Sequence, residues 1–197
     1  LRPALERRGL ATNRYLYLGR PEAGLPLSYL SNARPWRPDD MQATAELLAS
    51  AYGGADEARP FAPGGTIGEW QEYVGQLTGS TGCGALLPSA SFCIPDGQNR
   101  LVGLVITTRV ASTSGHIAQL VVDPLVQGRR LGAGLIDLAC AAAAAVGCRR
   151  VTLLVGEQNH RARRLYERAG FEPMASFLAA GAFSRGGRRA SRPASSS

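Results

Sequence analysis

The residues best suited to chemistry fall in two short stretches. The first is Val121-Val122-Asp123-Pro124-Leu125-Val126-Gln127-Gly128-Arg129-Arg130-Leu131-Gly132-Ala133-Gly134. A strand-like apolar run stops at Asp-Pro, a loop bearing glycine and arginine follows, and an apolar helical pattern begins. A helix start presents backbone N–H groups without intrahelical partners, at the positive end of the helix dipole. Glycine lets such a backbone approach a ligand closely. The combination is an anion site, most naturally for a pyrophosphate. The dipole supplies only ~1–2 kcal/mol, so charge-assisted contacts from Arg129 and Arg130 matter as well. The loop is neither a Walker A loop nor a Rossmann fingerprint.

The second stretch is Asn159-His160-Arg161-Ala162-Arg163-Arg164-Leu165-Tyr166-Glu167-Arg168-Ala169-Gly170-Phe171. On a helix, Ala162, Leu165, Tyr166 and Ala169 share one face, with Asn159 one step above Tyr166 and the arginines on the outer faces. A phenol on a core-facing stripe needs a polar partner, and here a ligand can be one.

These stretches resemble the two signatures of the GNAT acetyltransferase superfamily. Gln127-Gly128-Arg129-Arg130-Leu131-Gly132 is similar to Gln/Arg-x-x-Gly-x-Gly/Ala, with Arg130 where the first motif glycine is usual. A non-glycine there contributes its N–H if its φ is negative. Asn159, Ala162, Tyr166, Gly170 and Phe171 match Asn-x-x-Ala-x-x-x-Tyr followed by Gly-Phe. The resemblance extends from Arg34 to Ala180 in element order as well as in motifs.

The resemblance implies acetyl-CoA as acyl donor and a primary amine of a small molecule or protein as acceptor, without a metal. It implies that Gln127, Gly128, Arg129, Arg130, Leu131, Gly132 and Ala133 hold the CoA pyrophosphate. Val121 and Val122 would pair their backbone with the pantetheine arm, the Val122 N–H polarising the thioester carbonyl. Asn159, with Ala162 beside it, would reach the pantetheine, and Tyr166 would protonate the leaving thiolate. In the histone and arylalkylamine branches a Glu or His on the strand before the loop serves as base. His116 stands there, six residues before Val122 and, by simple alternation, on the same strand face. An imidazole suits that task. The branch that modifies ribosomal-protein N-termini carries a Glu where this chain has Leu154. Glu157 and His160 are lesser candidates for the base. A catalytically silent acyl-CoA-binding regulatory module is the alternative reading.

The elements that must position these residues follow from periodicity. The expected fold is α/β, a GNAT-type twisted mixed sheet flanked by helices in the order β-α-α-β-β-β-α-β-α-β. Strands are expected at 33–37, 89–94, 101–110, 115–122, 151–155 and 171–180, and helices at 41–52, 67–77, 131–146 and 160–169. Asp39 or Asp40 and Thr66 serve as helix caps, with Glu69 completing a capping box. Pro95-Asp96-Gly97 signals a hairpin, and the helix between strands 115–122 and 151–155 makes those two parallel. Acceptor binding is expected over 51–79, where Asp56, Glu57, Glu69 and Glu72 are acidic and Trp70 and Tyr73 are aromatic.

Composition bounds the rest. The chain has 197 residues, 45% of them apolar, and a formal charge of +7 carried entirely by arginine. That suits one core of about this size. Cys83, Cys93, Cys140 and Cys148 stand at neither metal nor redox spacing. The domain division expected is 1–32 as an N-terminal extension or the end of an upstream domain, 33–181 as the acetyltransferase domain and 182–197 as a disordered basic tail. The 1–32 segment holds a short helical pattern and the strand-like Tyr15-Leu16-Tyr17-Leu18. Arg185, Arg188, Arg189 and Arg192 in the tail could hold nucleic acid non-specifically, but no recognition helix or aromatic platform accompanies them. The expectation is a cytoplasmic monomer or homodimer with no specific nucleic-acid partner and no membrane span.

Overall fold

The structure is a computed structural model describing residues 7, 11–21, 30–53, 58–79 and 83–181. Its strands are β1 (Ala11–Pro21), β2 (Arg34–Pro35), β3 (Ala85–Leu86), β4 (Phe92–Pro95), β5 (Leu101–Ala111), β6 (Ser114–Val122), β7 (Arg150–Gly156) and β8 (Glu172–Gly181). The helices are α1 (Met41–Tyr52), α2 (Ile67–Thr78), α3 (Leu131–Ala145) and α4 (His160–Arg168). One sheet runs in the order β2-β4-β5-β6-β7-β1-β8, with β3 on the outer part of β5. Every neighbour is antiparallel except β6 and β7. That single parallel pair is joined by α3, as a crossover requires.

Two cores sandwich the sheet. On one face α3 and α4 pack Leu135, Ile136 and Ala139 with Tyr166 over Val105, Ile117, Val151 and Leu153. On the other, α1 and α2 pack Leu48, Trp70 and Val74 over Leu104, Ile106 and Val121. The alternation of side chains along β5 and β6 feeds both.

Most local expectations hold to within a residue or two. Thr66 and Glu69 form the capping box of α2, and β4 and β5 make the hairpin. Residues 88–90 wind into a 3-10 turn, so β4 starts only at Phe92. Asp40 does not cap α1 with its side chain. Its carboxylate grips Arg34 bidentately at 2.6 and 2.7 Å and accepts from the Arg37 N–H at 2.9 Å. The Arg34 guanidinium holds Asp40 below the usual carboxylate range.

The largest difference concerns the segment before residue 32. Strand β1 is not peripheral to the sheet: it lies between β7 and β8, hydrogen-bonded on both edges. Leu18 is 2% exposed within the α3/α4-side core. Its neighbours β7 and β8 are linked through α4, which leaves a strand-wide slot between them that only a third segment can fill. The helical pattern before β1, apart from residue 7, and the tail after residue 181 lie outside the described residues.

Candidate active site

Strands β6 and β7 pair only from Ser114/Arg150 to Ile117/Leu153. Beyond that β6 stays on β5 and β7 stays on β1, so the two strands part and their facing edges open. The Asp123 N–H donates to the Val102 carbonyl at 2.9 Å, toward β5. Backbone groups alternate sides along a strand, so the Val122 N–H points the other way, into the opening. The Val122 carbonyl points there too, and the Gln127 Nε2 donates to it at 2.9 Å.

The loop after β6 turns through two left-handed residues, Gly128 (φ 87°) and Arg130 (φ 60°). The negative φ that a non-glycine was expected to need is thus absent, and Arg130 adopts the left-handed conformation that favours glycine. That conformation costs ~1–2 kcal/mol. As N-cap of α3, Arg130 offers no side-chain hydrogen bond to the helix start. The first bond of the helix is Gly134 N–H to the Arg130 carbonyl at 3.0 Å. The N–H groups of Leu131, Gly132 and Ala133 therefore have no intrahelical partner. A Cβ on Gly132 would lie 3.2 Å from the Leu165 side chain, so glycine is what lets α3 and α4 meet at the loop.

On α4 the Asn159 Oδ1 accepts from the Ala162 N–H at 3.0 Å. Its oxygen is the helix cap, and its side-chain NH2 has no hydrogen-bond partner among the described residues. Tyr166 is 8% exposed and stands edge-on to Phe171, ring centroids 6.0 Å apart. Burial, with Tyr52 nearby, pushes its pKa up, so the phenol keeps its proton at any physiological pH. Among the described residues its hydroxyl has no hydrogen-bond partner.

All of this borders one open groove of about 960 Å³, whose walls are Val121, Val122, the loop from Gln127 to Ala133, Asn159, Ala162 and Tyr166. Arg161, Arg164 and Arg168 line its α4 side, opposite Arg129 and Arg130. None of these five guanidinium groups is in an ion pair among the described residues, whereas Arg163, on the other side of α4, pairs with Glu167 at 3.8 Å. The groove is thus a cationic trough ending at a buried phenol.

His116 is not on that groove, and its expected facing needs correction. Opposite β5, Gln119 pairs with Ile106 but Ile117 pairs with Thr107, so Ala118 is an extra, bulged residue. A bulge reverses the parity of everything before it. His116 consequently shares the α1/α2-side face with Gln119 and Val121, and Val122 faces the other way. On that face the His116 Nδ1 is 2.9 Å from the Thr152 hydroxyl, and Tyr17 of β1 stacks on the imidazole at 6.1 Å and 17°. Burial lowers the His116 pKa.

Three residues that the sequence does not single out complete this side. The Gln119 Nε2 donates to the Tyr52 hydroxyl at 3.0 Å and its Oε1 accepts from Tyr73 at 2.8 Å. Thr152 holds His116. The β5/β6/β7 register and the packing of α1 and α2 on this face bring these side chains together, and no local motif announces them. Of the other candidates, Trp70 is core at 2% exposed, Glu69 is committed to the α2 cap, and Glu157 pairs with Arg14 at 3.6 Å. His160 is exposed at the start of α4. Asp56 and Glu57 lie outside the described residues. Cys93, Cys140 and Cys148 are buried and Cys83 is half-buried, all as free thiols.

Comparison with known proteins bears on this arrangement in three ways. The model of the acetyltransferase (GNAT) family matches residues 44–171. A mycothiol acetyltransferase of Beutenbergia cavernae is 40% identical over 99 residues, 50% of this chain and 28% of that protein. The chain therefore spans less than a third of that curated relative. Among solved structures, a GCN5-related N-acetyltransferase from Sphaerobacter thermophilus superposes with TM-score 0.65 at 21% identity, covering 91% of this chain and 55% of the other. A NatC complex solved bound to Gag peptide and CoA gives TM-score 0.53 at 19% identity over 73% of this chain and 85% of that one. Both structural likenesses concern the fold.

Proposed function

The chain belongs to the GNAT acetyltransferase family, and from that premise we propose that it transfers an acetyl group from acetyl-CoA to a primary amine. The observation that carries this reading is the groove: N–H groups without intrahelical partners at the start of α3 and five guanidinium groups outside any ion pair lead to a hydroxyl with no hydrogen-bond partner, all among the described residues. A thioester-bearing polyanion fits both ends of that trough. The Leu131, Gly132 and Ala133 N–H groups and Arg129 and Arg130 suit its pyrophosphate. Gly128 and Arg130, both left-handed, shape the backbone into a concave anion nest. The strand opening beside Val122 suits the pantetheine arm, with the Asn159 NH2 on its other side.

Acetyl-CoA brings an acyl thioester, and in the transfer a C–N bond forms as the C–S bond breaks. The Val122 N–H, aimed into the opening, donates to the carbonyl oxygen where negative charge builds up. The Tyr166 hydroxyl, held protonated by burial, gives its proton to the departing sulfur. His116, on the face opposite the groove, takes the proton the attacking nitrogen loses. Tyr52, Tyr73 and Gln119 flank the same face and would meet the acceptor there.

The test is calorimetric titration with acetyl-CoA together with thiol release against a panel of primary amines, comparing wild type with Tyr166→Phe. Binding, with turnover lowered about 10-fold or more in the variant, supports the proposal. Binding with no turnover on any amine favours a silent acyl-CoA-binding module. Absence of acetyl-CoA binding sinks both.

A further inference from the structure

His116 carries a hydrogen-bond arrangement that decides which of its two nitrogens can act. The Thr152 hydroxyl lies 3.2 Å from the Gly115 carbonyl and 2.9 Å from His116 Nδ1. A hydroxyl has one proton to give and lone pairs to receive with. The carbonyl can only accept, so both contacts are kept together only when that proton goes to Gly115 and Nδ1 is the donor in its own contact. The other nitrogen, Nε2, has no hydrogen-bond partner among the described residues. The Tyr17 ring, stacked on the imidazole, blocks rotation about one face. Apart from the ring of Tyr17, no titratable or charged side chain is hydrogen-bonded, ion-paired or ring-stacked with the imidazole among the described residues.

We infer that Thr152 is a positioning residue: it fixes His116 as the Nδ1–H tautomer and presents the Nε2 lone pair to the acceptor amine. The inference rests on the reading of His116 as the base. When Nε2 accepts the proton from the attacking nitrogen, the ring becomes an imidazolium and both nitrogens donate. The Nδ1–H to Thr152 bond survives that change, and neither Thr152 nor Gly115 has to reorganise. With the opposite tautomer, protonation would fall on Nδ1 and force the Thr152 hydroxyl to abandon one of its partners. β7 thereby contributes to catalysis through a side chain that never touches substrate.

The experiment is long-range proton–nitrogen NMR of the imidazoles, recorded above the His116 pKa. The chain has two histidines, so a His160→Gln background leaves His116 alone in the spectrum. The expected result is the Nδ1–H tautomer in this background, its partial or full loss in Thr152→Val, and its return in Thr152→Ser. Turnover should fall about 10-fold or more in Thr152→Val, with acetyl-CoA affinity unchanged, and recover to within about 3-fold in Thr152→Ser. An Nε2–H tautomer at His116 with Thr152 in place overturns the inference, whether or not the Thr152 variants fold. An Nδ1–H signal that Thr152→Val leaves untouched overturns it too. If the tautomer follows Thr152 but His116→Gln turns over at the wild-type rate, Thr152 still sets the tautomer and it is the assignment of His116 as base that falls.

Discussion

The Gln127 side chain donates to the Val122 carbonyl at 2.9 Å. This bond ties the loop of residues 127–133 to the end of β6, so loop and strand opening keep one spacing. Gln127→Ala removes a partly buried hydrogen bond worth ~1 kcal/mol and lets the loop drift from β6. Calorimetry should show acetyl-CoA binding weakened about 5-fold, with the thermal midpoint lowered by about 2–4 °C.

Arg130 holds a left-handed conformation that favours glycine. Arg130→Gly should therefore raise stability by about 1 kcal/mol in denaturant titration. The same substitution deletes one of the groove's guanidinium groups, so binding of acetyl-CoA should weaken while the protein becomes more stable. A variant both less stable and tighter-binding would contradict the account of the loop.

Arg20 is 5% exposed, yet charged. Its Nη1 donates to the Ala169 carbonyl at the end of α4 at 2.6 Å, and its guanidinium lies 5.6 Å from the centre of the Phe171 ring. It closes a helix terminus that carries the negative end of the dipole. Arg20→Met keeps the packing stem and deletes these contacts, at a cost of about 2 kcal/mol. Hydrogen exchange should accelerate over 165–171 before the rest of the sheet, and turnover should drop because Tyr166 sits on the loosened helix.

His116 has a pKa below the ordinary histidine value because burial disfavours the imidazolium. The unfolded chain therefore binds its proton more readily than the folded one. Stability from this site is complete above about pH 6.5, the unfolded value, and is lost as pH falls through the folded pKa. In that window the slope is at most about 1.4 kcal/mol per pH unit. His116→Gln should flatten it in denaturant titrations carried below about pH 6.5. The acid limb of kcat/KM should likewise sit below about pH 6.5 and vanish with the imidazole.

The two halves of the groove were legible in the sequence because each is a local signature. A strand end, glycine loop and helix start are contiguous, and so are Asn159, Ala162 and Tyr166. The helices and hairpin were legible for the same reason. Failures came where distant segments meet. Simple alternation gives the wrong facing for His116 because one bulged residue at Ala118 reverses parity, and nothing in the composition of Gly115–Val122 marks the bulge. Gln119, Thr152 and Arg20 act across separations of 36 to 149 residues. The Tyr15–Leu18 run read as a strand, but no pattern within a strand says which neighbours it will have.

The position of β1 has a consequence for how the chain comes into being. During synthesis β1 leaves the ribosome before any strand it pairs with, and its partners are the last two of the described strands. Its edges must wait unpaired while the intervening segment is translated, a state in which exposed strands are prone to wrong pairing. Its closure joins residues far apart in sequence, which makes it a slow step. Because Tyr17 and Arg20 ride on that strand, the clamp on His116 and the closure of α4 form only at this late stage. The nascent protein can thus assemble β2 to β6 with α1 and α2 early and still lack a finished catalytic centre until the sheet admits its oldest strand.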